Sequence, residues 1–212
     1  MNAHTLGHLH SLQLAQVTDN ADPDQRGRVK LRLQSAPMEM WASVVAPSAG
    51  QGYGASFIPR LDEIVVVAFL NPDTPLVLGS VWSGQGSAPP EADPQEEHYV
   101  IRTPNDTVLE FDDNEPKVEL RTRSGHRVSI DESGGGEVKV ELGSQSVTLT
   151  PSEITVDSAG PVNINASTVN VSASMVQVDA AMSRFSGVVQ CDTIIATSVV
   201  GTTYAPGAGN IW

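Results

Sequence analysis

Short alternating runs of apolar and polar residues, separated by turn-forming residues, fill the first third of the chain. HSLQLAQV carries apolar residues at Leu12, Leu14 and Val17, and RVKLRL alternates apolar with basic residues. EIVVVAFL is almost continuously apolar and predicts a strand buried on both faces. Gly, Pro, Asn and Asp occupy the intervals between these runs, as in DNADPDQRG and NPDTP. The pattern predicts a small closed or sandwich-like β domain of five or six strands.

Composition divides the chain into segments of different character. No stretch has a long helical period, Val, Ser, Thr and Gly are abundant, and GQGSAPPEADP is typical of a linker. The first β domain has the size of an OB barrel. The predicted segments are a leader at 1–10, an OB-fold domain at 11–83, a linker at 84–97, a β-strand neck at 98–137 and a repetitive segment at 138–212.

Pairs of apolar residues recur every seven to nine residues through most of the repetitive segment. They are Val138/Val140, Val147/Leu149, Ile154/Val156, Val162/Ile164, Val169/Val171 and Val176/Val178. A short fixed period of strand plus turn is typical of a β-solenoid. Each pair contributes roughly 3–6 kcal/mol on burial, whereas ordering eight residues costs on the order of 12 kcal/mol. The sequence therefore predicts strands shared between chains, most naturally in an intertwined threefold prism.

Three stretches in order, DPDQRGRVKLRL, MWASVVAPSAGQGYGASFIPRLDEIVVVAFL and DTPLVLGSVWSG, resemble the OB-fold domain of VgrG and phage central-spike proteins. Where that family has a Gly-Asp-Glu-Val element, this chain has Leu61 in place of the glycine, followed by Asp62 and Glu63. GHRVSIDESGGGEV resembles the passage into the family's β-prism, and CDTIIATSVVGTTYAPGAGNIW resembles the end of that prism.

The resemblance implies an all-β chain in which an OB barrel precedes a trimeric β-helix. It implies a homotrimeric, non-enzymatic central spike of a phage, tailocin or extracellular injection particle, which pierces the target envelope when the sheath contracts. A separate baseplate hub protein is the expected partner above the spike, and contact with the target membrane is transient. The start MNAHTLGHLH lacks the pattern of a secretory signal peptide, so assembly in the cytoplasm and a place in the particle are expected.

The ending GTTYAPGAGNIW places two large apolar residues after a glycine-rich stretch. Three copies brought together on one axis would form a hydrophobic patch, which either plugs the axis or seats another protein. VgrG-like spikes carry a conical PAAR protein at this end. The resemblance therefore implies a tip-binding site for a PAAR-type protein, formed by Gly207, Gly209, Asn210, Ile211 and Trp212.

Two other functions compete with the spike. Arg26, Arg28, Lys30 and Arg32 could line a nucleic-acid groove on an OB barrel, which makes a nucleic-acid-binding protein with a multimerising β-tail the main alternative. The formal net charge of −13 and the scarcity of aromatic residues argue against it, and contact with an acidic hub protein explains the same residues. A glycan-binding fibre would require exposed aromatic residues along the prism, which has almost none.

No catalytic, metal or cofactor site is expected. His126, Ser129 and Asp131 lie too close together on one strand to form a nucleophile–base–orienting chain. The HLH motif near the N-terminus is interpreted as part of the leader. Cys191 has no basic or histidine neighbour and is expected to be an inward or partly buried small residue.

Overall fold

The structure is a computed structural model that describes residues 12–93 and 96–203. Its regular elements are β-strands, apart from two short 3₁₀ turns at Pro90–Ala92 and Ser133–Gly135. The chain divides into two compact units, one ending at Val162 and the other beginning at Asn163. The all-β prediction is confirmed, whereas the predicted leader at 1–10 lies outside the described residues.

Seven strands make up the N-terminal part of the first unit. They are β1 (Gln13–Asp19), β2 (Arg28–Leu33), β3 (Glu39–Val44), β4 (Ala49–Gly50), β5 (Tyr53–Gly54), β6 (Ile64–Phe69) and β7 (Pro75–Val81). Five of them close into a barrel in the order β1-β2-β3-β7-β6, and β4 and β5 form a separate small hairpin. Within the barrel β3 and β7 run parallel and the other pairs are antiparallel. The predicted N-terminal barrel is confirmed, with the five strands of an OB fold.

The barrel interior is filled by small and medium apolar side chains on alternate strand positions. These are Ala15, Val17, Val29, Leu31, Leu33, Ala42, Val65, Val67 and Val77, all at most 4% exposed. On β1 the inward residues are Ala15 and Val17, so Leu14 faces outward and is 44% exposed. On β6 only alternate valines are fully buried, so burial of both faces, which the sequence predicts, is not found within the single chain.

Seven further strands form one antiparallel sheet, in which each strand pairs with the next along the chain. They are β8 (His98–Arg102), β9 (Val108–Asp112), β10 (Lys117–Arg121), β11 (Arg127–Asp131), β12 (Glu137–Leu142), β13 (Gln145–Leu149) and β14 (Ile154–Asp157). Between β11 and β12 the chain turns through Gly134, Gly135 and Gly136, whose φ values of 65°, 109° and 94° favour glycine. The sheet continues without interruption across residue 138, because β11 and β12 are fully paired.

The second unit, taken by itself, has a different character. Residues 163–203 contain no strand and no backbone–backbone hydrogen bond within the chain. Their apolar residues are exposed, including Val176 at 63% and Val178 at 69%. Backbone N–H and C=O groups require partners, so those of this segment are satisfied by water or by other chains.

Candidate assembly surface

The seven-stranded sheet has one face built almost entirely of apolar residues. The cross-strand register creates it: on β10, β11 and β12, Val118, Ile130 and Val138 stand directly opposite one another. The same register continues to both edges of the sheet. This apolar face consists of Tyr99, Ile101, Leu109, Phe111, Val118, Leu120, Val128, Ile130, Val138, Val140, Leu142, Val147, Leu149, Ile154 and Val156.

The apolar face is open to solvent in the single chain. Tyr99 is 57% exposed, Ile130 49% and Ile154 71%. Seven strands about 4.8 Å apart, each about five residues long at about 3.4 Å per residue, give a footprint on the order of 500 Å². Side-chain relief adds to that area, and apolar patches at the upper end of about 300–600 Å² on a monomer are often functional. A surface of this size and continuity indicates an interface with another protein surface.

The opposite face carries charged side chains and is the more buried of the two. Glu119 at its centre is only 5% exposed. Its carboxylate lies 2.8 Å from Lys117 Nζ, 3.2 Å from Arg121 Nη1 and 3.4 Å from Arg127 Nε. A buried carboxylate is tolerated when cations surround it in this way. In the single chain, the charged face of the sheet is therefore partly buried, whereas the apolar face is exposed to solvent.

Glu91, in the segment between barrel and sheet, is also held by the charged face. One carboxylate oxygen, Oε1, accepts hydrogen bonds from Arg102 and from Arg121 Nη2, the latter at 3.0 Å. The Glu91 side chain is 14% exposed. These contacts fix the short turn Pro90–Ala92 against β8 and β10. This part of the predicted linker is thus held against the sheet by hydrogen bonds.

The apolar surface continues beyond the sheet towards the segment that follows β7. Trp82, Tyr99 and Phe111 line an open cavity of about 450 Å³, together with Pro89 and Ile101. Trp82 is 67% exposed. Large, rigid aromatic side chains in such a position are typical of the energetically important part of an interface.

The basic residues of β2 all have partners within the barrel, two of them carboxylates. Lys30 Nζ lies 3.0 Å from a carboxylate oxygen of Glu39, and Arg32 donates a hydrogen bond of 2.8 Å to Gln16. Nucleic-acid binding needs cations that are available to phosphates. Arg28 and Lys30 are thus already neutralised by carboxylates, which gives little support to a nucleic-acid groove on this strand, whereas the exposed Arg32 is bonded only to a neutral side chain.

Arg28 is the most tightly bound of these cations. Its guanidinium donates two hydrogen bonds to Asp22, at 2.8 and 3.1 Å, and one to Asp24 at 2.6 Å. The same group lies 5.7 Å from the ring centroid of Trp41, within cation–π range. Asp22 also accepts the backbone N–H groups of Asp24, Arg26 and Arg28, which fixes the turn between β1 and β2. The hydrogen bonds from Arg28 hold the pKa of Asp22 well below its ordinary value.

Asp22→Asn is expected to remove a pH-dependent part of the barrel's stability. Because the pKa of Asp22 is lower in the folded chain than in the unfolded one, its ion pair stabilises the fold above about pH 4. That contribution is lost as pH falls from about 4 towards the lowered pKa of the folded state. Urea unfolding from pH 2 to 7 should show wild type more stable at neutral pH and the difference shrinking in acid. Asp73→Asn, in an exposed turn, is the control, and an equal pH profile for Asp22→Asn and wild type contradicts this role.

The sequence predicts a tip-binding site in the last residues of the chain. Gly207, Gly209, Asn210, Ile211 and Trp212 lie outside the described residues, so the tip site stays a prediction.

The structure does not arrange His126, Ser129 and Asp131 as a catalytic triad. No hydrogen bond joins His126, Ser129 and Asp131 in the described part of the chain, and Asp131 instead accepts the N–H and hydroxyl of Ser133. Cys191, expected to be inward or partly buried, is exposed in the single chain. Residues 12–93 and 96–203 contain no metal-type cluster of His, Cys, Asp or Glu, and no helix long and apolar enough to cross a membrane.

Comparison with known proteins identifies the barrel. Residues 13–82 match the family described as the type VI secretion system/phage-baseplate injector OB domain. The chain is 32% identical over 89 residues to the type VI secretion system spike protein VgrG3 of Vibrio cholerae, covering 38% of this chain. It is also 32% identical over 77 residues to the spike proteins VgrG1a and VgrG1b of Pseudomonas aeruginosa, covering 32% of this chain.

The matched region spans 9–12% of the length of these relatives. The match nevertheless falls on the closed barrel, whose motifs carry the resemblance to spike proteins. Residues 13–82 are therefore similar to the OB domain of type VI secretion and phage-baseplate injectors, which confirms the resemblance to VgrG and baseplate spike proteins.

Proposed function

We propose that this chain is the structural central spike of a contractile tail or injection system and works as a homotrimer. The observation that carries the proposal is the apolar face, which continues in register across seven strands behind an injector-type OB barrel. In the trimer, the three apolar faces turn towards a common axis and the charged faces turn to solvent. The named relatives are spike proteins, which supports a mechanical role for this chain.

The dimensions of the sheet fit a threefold prism whose strands run across the axis. A five-residue strand spans about 17 Å, and a triangle with that side has walls about 5 Å from its centre. That distance is half of the roughly 10 Å spacing at which two sheets pack face to face. Strands along the axis would instead form walls about 34 Å wide and about 10 Å from the axis. Valine and isoleucine side chains would leave such an interior empty, which native packing does not tolerate.

The second unit supports the same proposal from its own composition and geometry. Residues 163–203 have no backbone pairing with one another or with other described residues, and they continue the recurrence of apolar residues. Strand pairing between chains satisfies such a backbone and removes the exposed edges of isolated strands. The proposed trimeric β-helix therefore includes this segment.

A spike of this kind requires stiffness and no catalytic group. Interchain strands stacked about 4.8 Å apart resist compression along the axis when the sheath drives the trimer into the target envelope. A baseplate hub protein and a PAAR-type tip protein are the proposed partners, the second at Gly207, Gly209, Asn210, Ile211 and Trp212. The proposed location is the baseplate of a phage or phage-tail-like particle, assembled in the cytoplasm.

The mass of the purified chain in solution tests the trimer. Sedimentation equilibrium should give three times the chain mass of 22.4 kDa at micromolar concentration. Unfolding followed at several protein concentrations should show a midpoint that rises with concentration, because dissociation is coupled to unfolding. A folded monomer over the same concentration range contradicts the proposed function.

A further inference from the structure

We propose that neighbouring copies in the trimer meet through a seam of opposite charge, in which Arg123 of one copy faces the acidic turns of the next. This inference rests on the proposed homotrimer and adds the contact that joins its walls. It follows from the distribution of charge between the two lateral sides of the sheet.

The antiparallel order of the strands places alternate turns on opposite sides. The turns after β8, β10 and β12 lie on one side, here called the basic side, and comprise residues 103–107, 122–126 and 143–144. The turns after β9, β11 and β13 lie on the other, here called the acidic side, and comprise residues 113–116, 132–136 and 150–153. A five-residue strand separates the two sides by about 17 Å.

The acidic side carries only negative charge. Asp113, Glu115, Glu132 and Glu153 are all exposed there, and none has an ion pair within the described chain. The three turns of the basic side contain one carboxylate, Asp106, which Arg102 already neutralises at 2.6 Å. The exposed Asp157 ends β14 on the same side, at the edge of the sheet. The two sides of one sheet are therefore complementary to each other.

Arg123 is exceptional among the cations of the sheet. The other five, Arg102, Lys117, Arg121, Arg127 and Lys139, each lie within ion-pair distance of a carboxylate of the same chain. Arg123 is exposed on the basic side and donates a hydrogen bond of 3.3 Å to Asn105, a neutral side chain. Its charge is thus available to a carboxylate of another molecule.

Threefold symmetry brings these sides together. In a cyclic trimer each interface joins two different surfaces, so the basic side of one copy meets the acidic side of the next. The Arg123 turn lies between β10 and β11, whereas Glu115 precedes β10 and Glu132 follows β11. Each acidic turn is thus displaced from Arg123 by one strand spacing, about 4.8 Å, which an arginine side chain can span. The occupant of the acidic side is therefore a second copy of this chain.

Disulfide trapping tests this seam directly. In a Cys191→Ser background, Ser124→Cys is combined with Asn114→Cys in one protein and with Ser133→Cys in another. Within one chain these cysteines are about 17 Å apart, too far for a disulfide. Mild oxidation should give covalent dimers and trimers, ending at three chains, in at least one of the two proteins. The single-cysteine Ser124→Cys protein should remain uncrosslinked, because a cyclic interface does not pair a turn with itself.

Charge reversal then tests the role of Arg123. Arg123→Glu should slow crosslinking about fivefold, in line with the modest strength of exposed ion pairs. Addition of Glu115→Arg and Glu132→Arg should restore the rate. Arg60→Glu, which makes the same change at an exposed arginine of the barrel, should leave the rate unchanged.

The outcomes separate this inference from the proposed function. A trimeric mass without crosslinks in either double-cysteine protein overturns the seam and leaves the spike standing. Crosslinks whose rate is insensitive to Arg123→Glu overturn the role of charge. A monomeric mass overturns both the seam and the proposed function.

Discussion

Ile130→Asp is expected to convert the proposed trimer into monomers. Ile130 lies on β11, the central strand of the sheet, between Val118 and Val138 on the apolar face. In the single chain its side chain is 49% exposed, so an aspartate is tolerated there before assembly. In the trimer three carboxylates would be buried near one axis without cations. An unpaired buried charge costs several kcal/mol, and about 1.4 kcal/mol already weakens association tenfold.

Two matched variants show whether this effect belongs to the apolar face. Ile130→Val keeps the surface apolar and should remain trimeric. Thr148→Asp introduces the same charge on the opposite face, where Thr148 pairs with Lys139, and should also remain trimeric. Light scattering across a dilution series measures all three proteins. A trimeric Ile130→Asp protein contradicts an inward apolar face, whereas dissociation of Thr148→Asp places the interface on the charged side.

Leu31→Ala is expected to destabilise the barrel by about 2–5 kcal/mol. Leu31 is fully buried and is among the largest side chains of the core. Removing it loses the transfer free energy of its methyl groups and leaves a cavity among Val17, Val29 and Val65, which pack in the same cluster. Urea unfolding followed by tryptophan fluorescence, with Trp41 on β3 as the barrel reporter, measures the change.

Leu14→Ala is the control for the same change of residue type. Leu14 faces outward on β1 and is 44% exposed, so the free energy of unfolding should fall by less than about 1 kcal/mol. Equal losses for the two variants contradict the register in which Ala15 and Val17 face the core.

The barrel could largely be predicted from sequence. The alternation in RVKLRL placed Val29, Leu31 and Leu33 on one side of a strand, and all three are buried. Strand β1 shows why pattern alone is insufficient. The larger leucines of HSLQLAQV suggest the inward face, yet the interior at this point admits only the small Ala15, followed by Val17. Tertiary packing decides which face of β1 turns inward, because a shift of one residue in the strand register exchanges the two faces.

The candidate surface was only partly visible in the sequence. The apolar pairs from Val138 onward predicted shared strands, but the same alternation already begins at Tyr99 in HYVIR, VLEFD, KVELR and RVSID. There most of the alternate positions are charged, unlike the Ser and Thr positions that follow, and the sequence predicted only a β-strand neck for this part. Ion pairs such as Glu119 with Arg127 on the neighbouring strand depend on cross-strand register, and that register was not evident before the strands were paired. The difference in charge between the turns on the two sides of the sheet likewise became evident only once the order of the strands was known.

The hydrogen bonds that hold Glu91 against the sheet affect how force would pass from the barrel to the sheet. A Gly- and Pro-rich tether between a barrel and a sheet would normally swivel and buckle when pushed from one end. Here the Glu91 carboxylate accepts hydrogen bonds from two arginines on different strands, so the segment left between the barrel and the held turn is residues 82–89. In the proposed spike, this attachment shortens the flexible segment that bends when force passes from the barrel to the sheet.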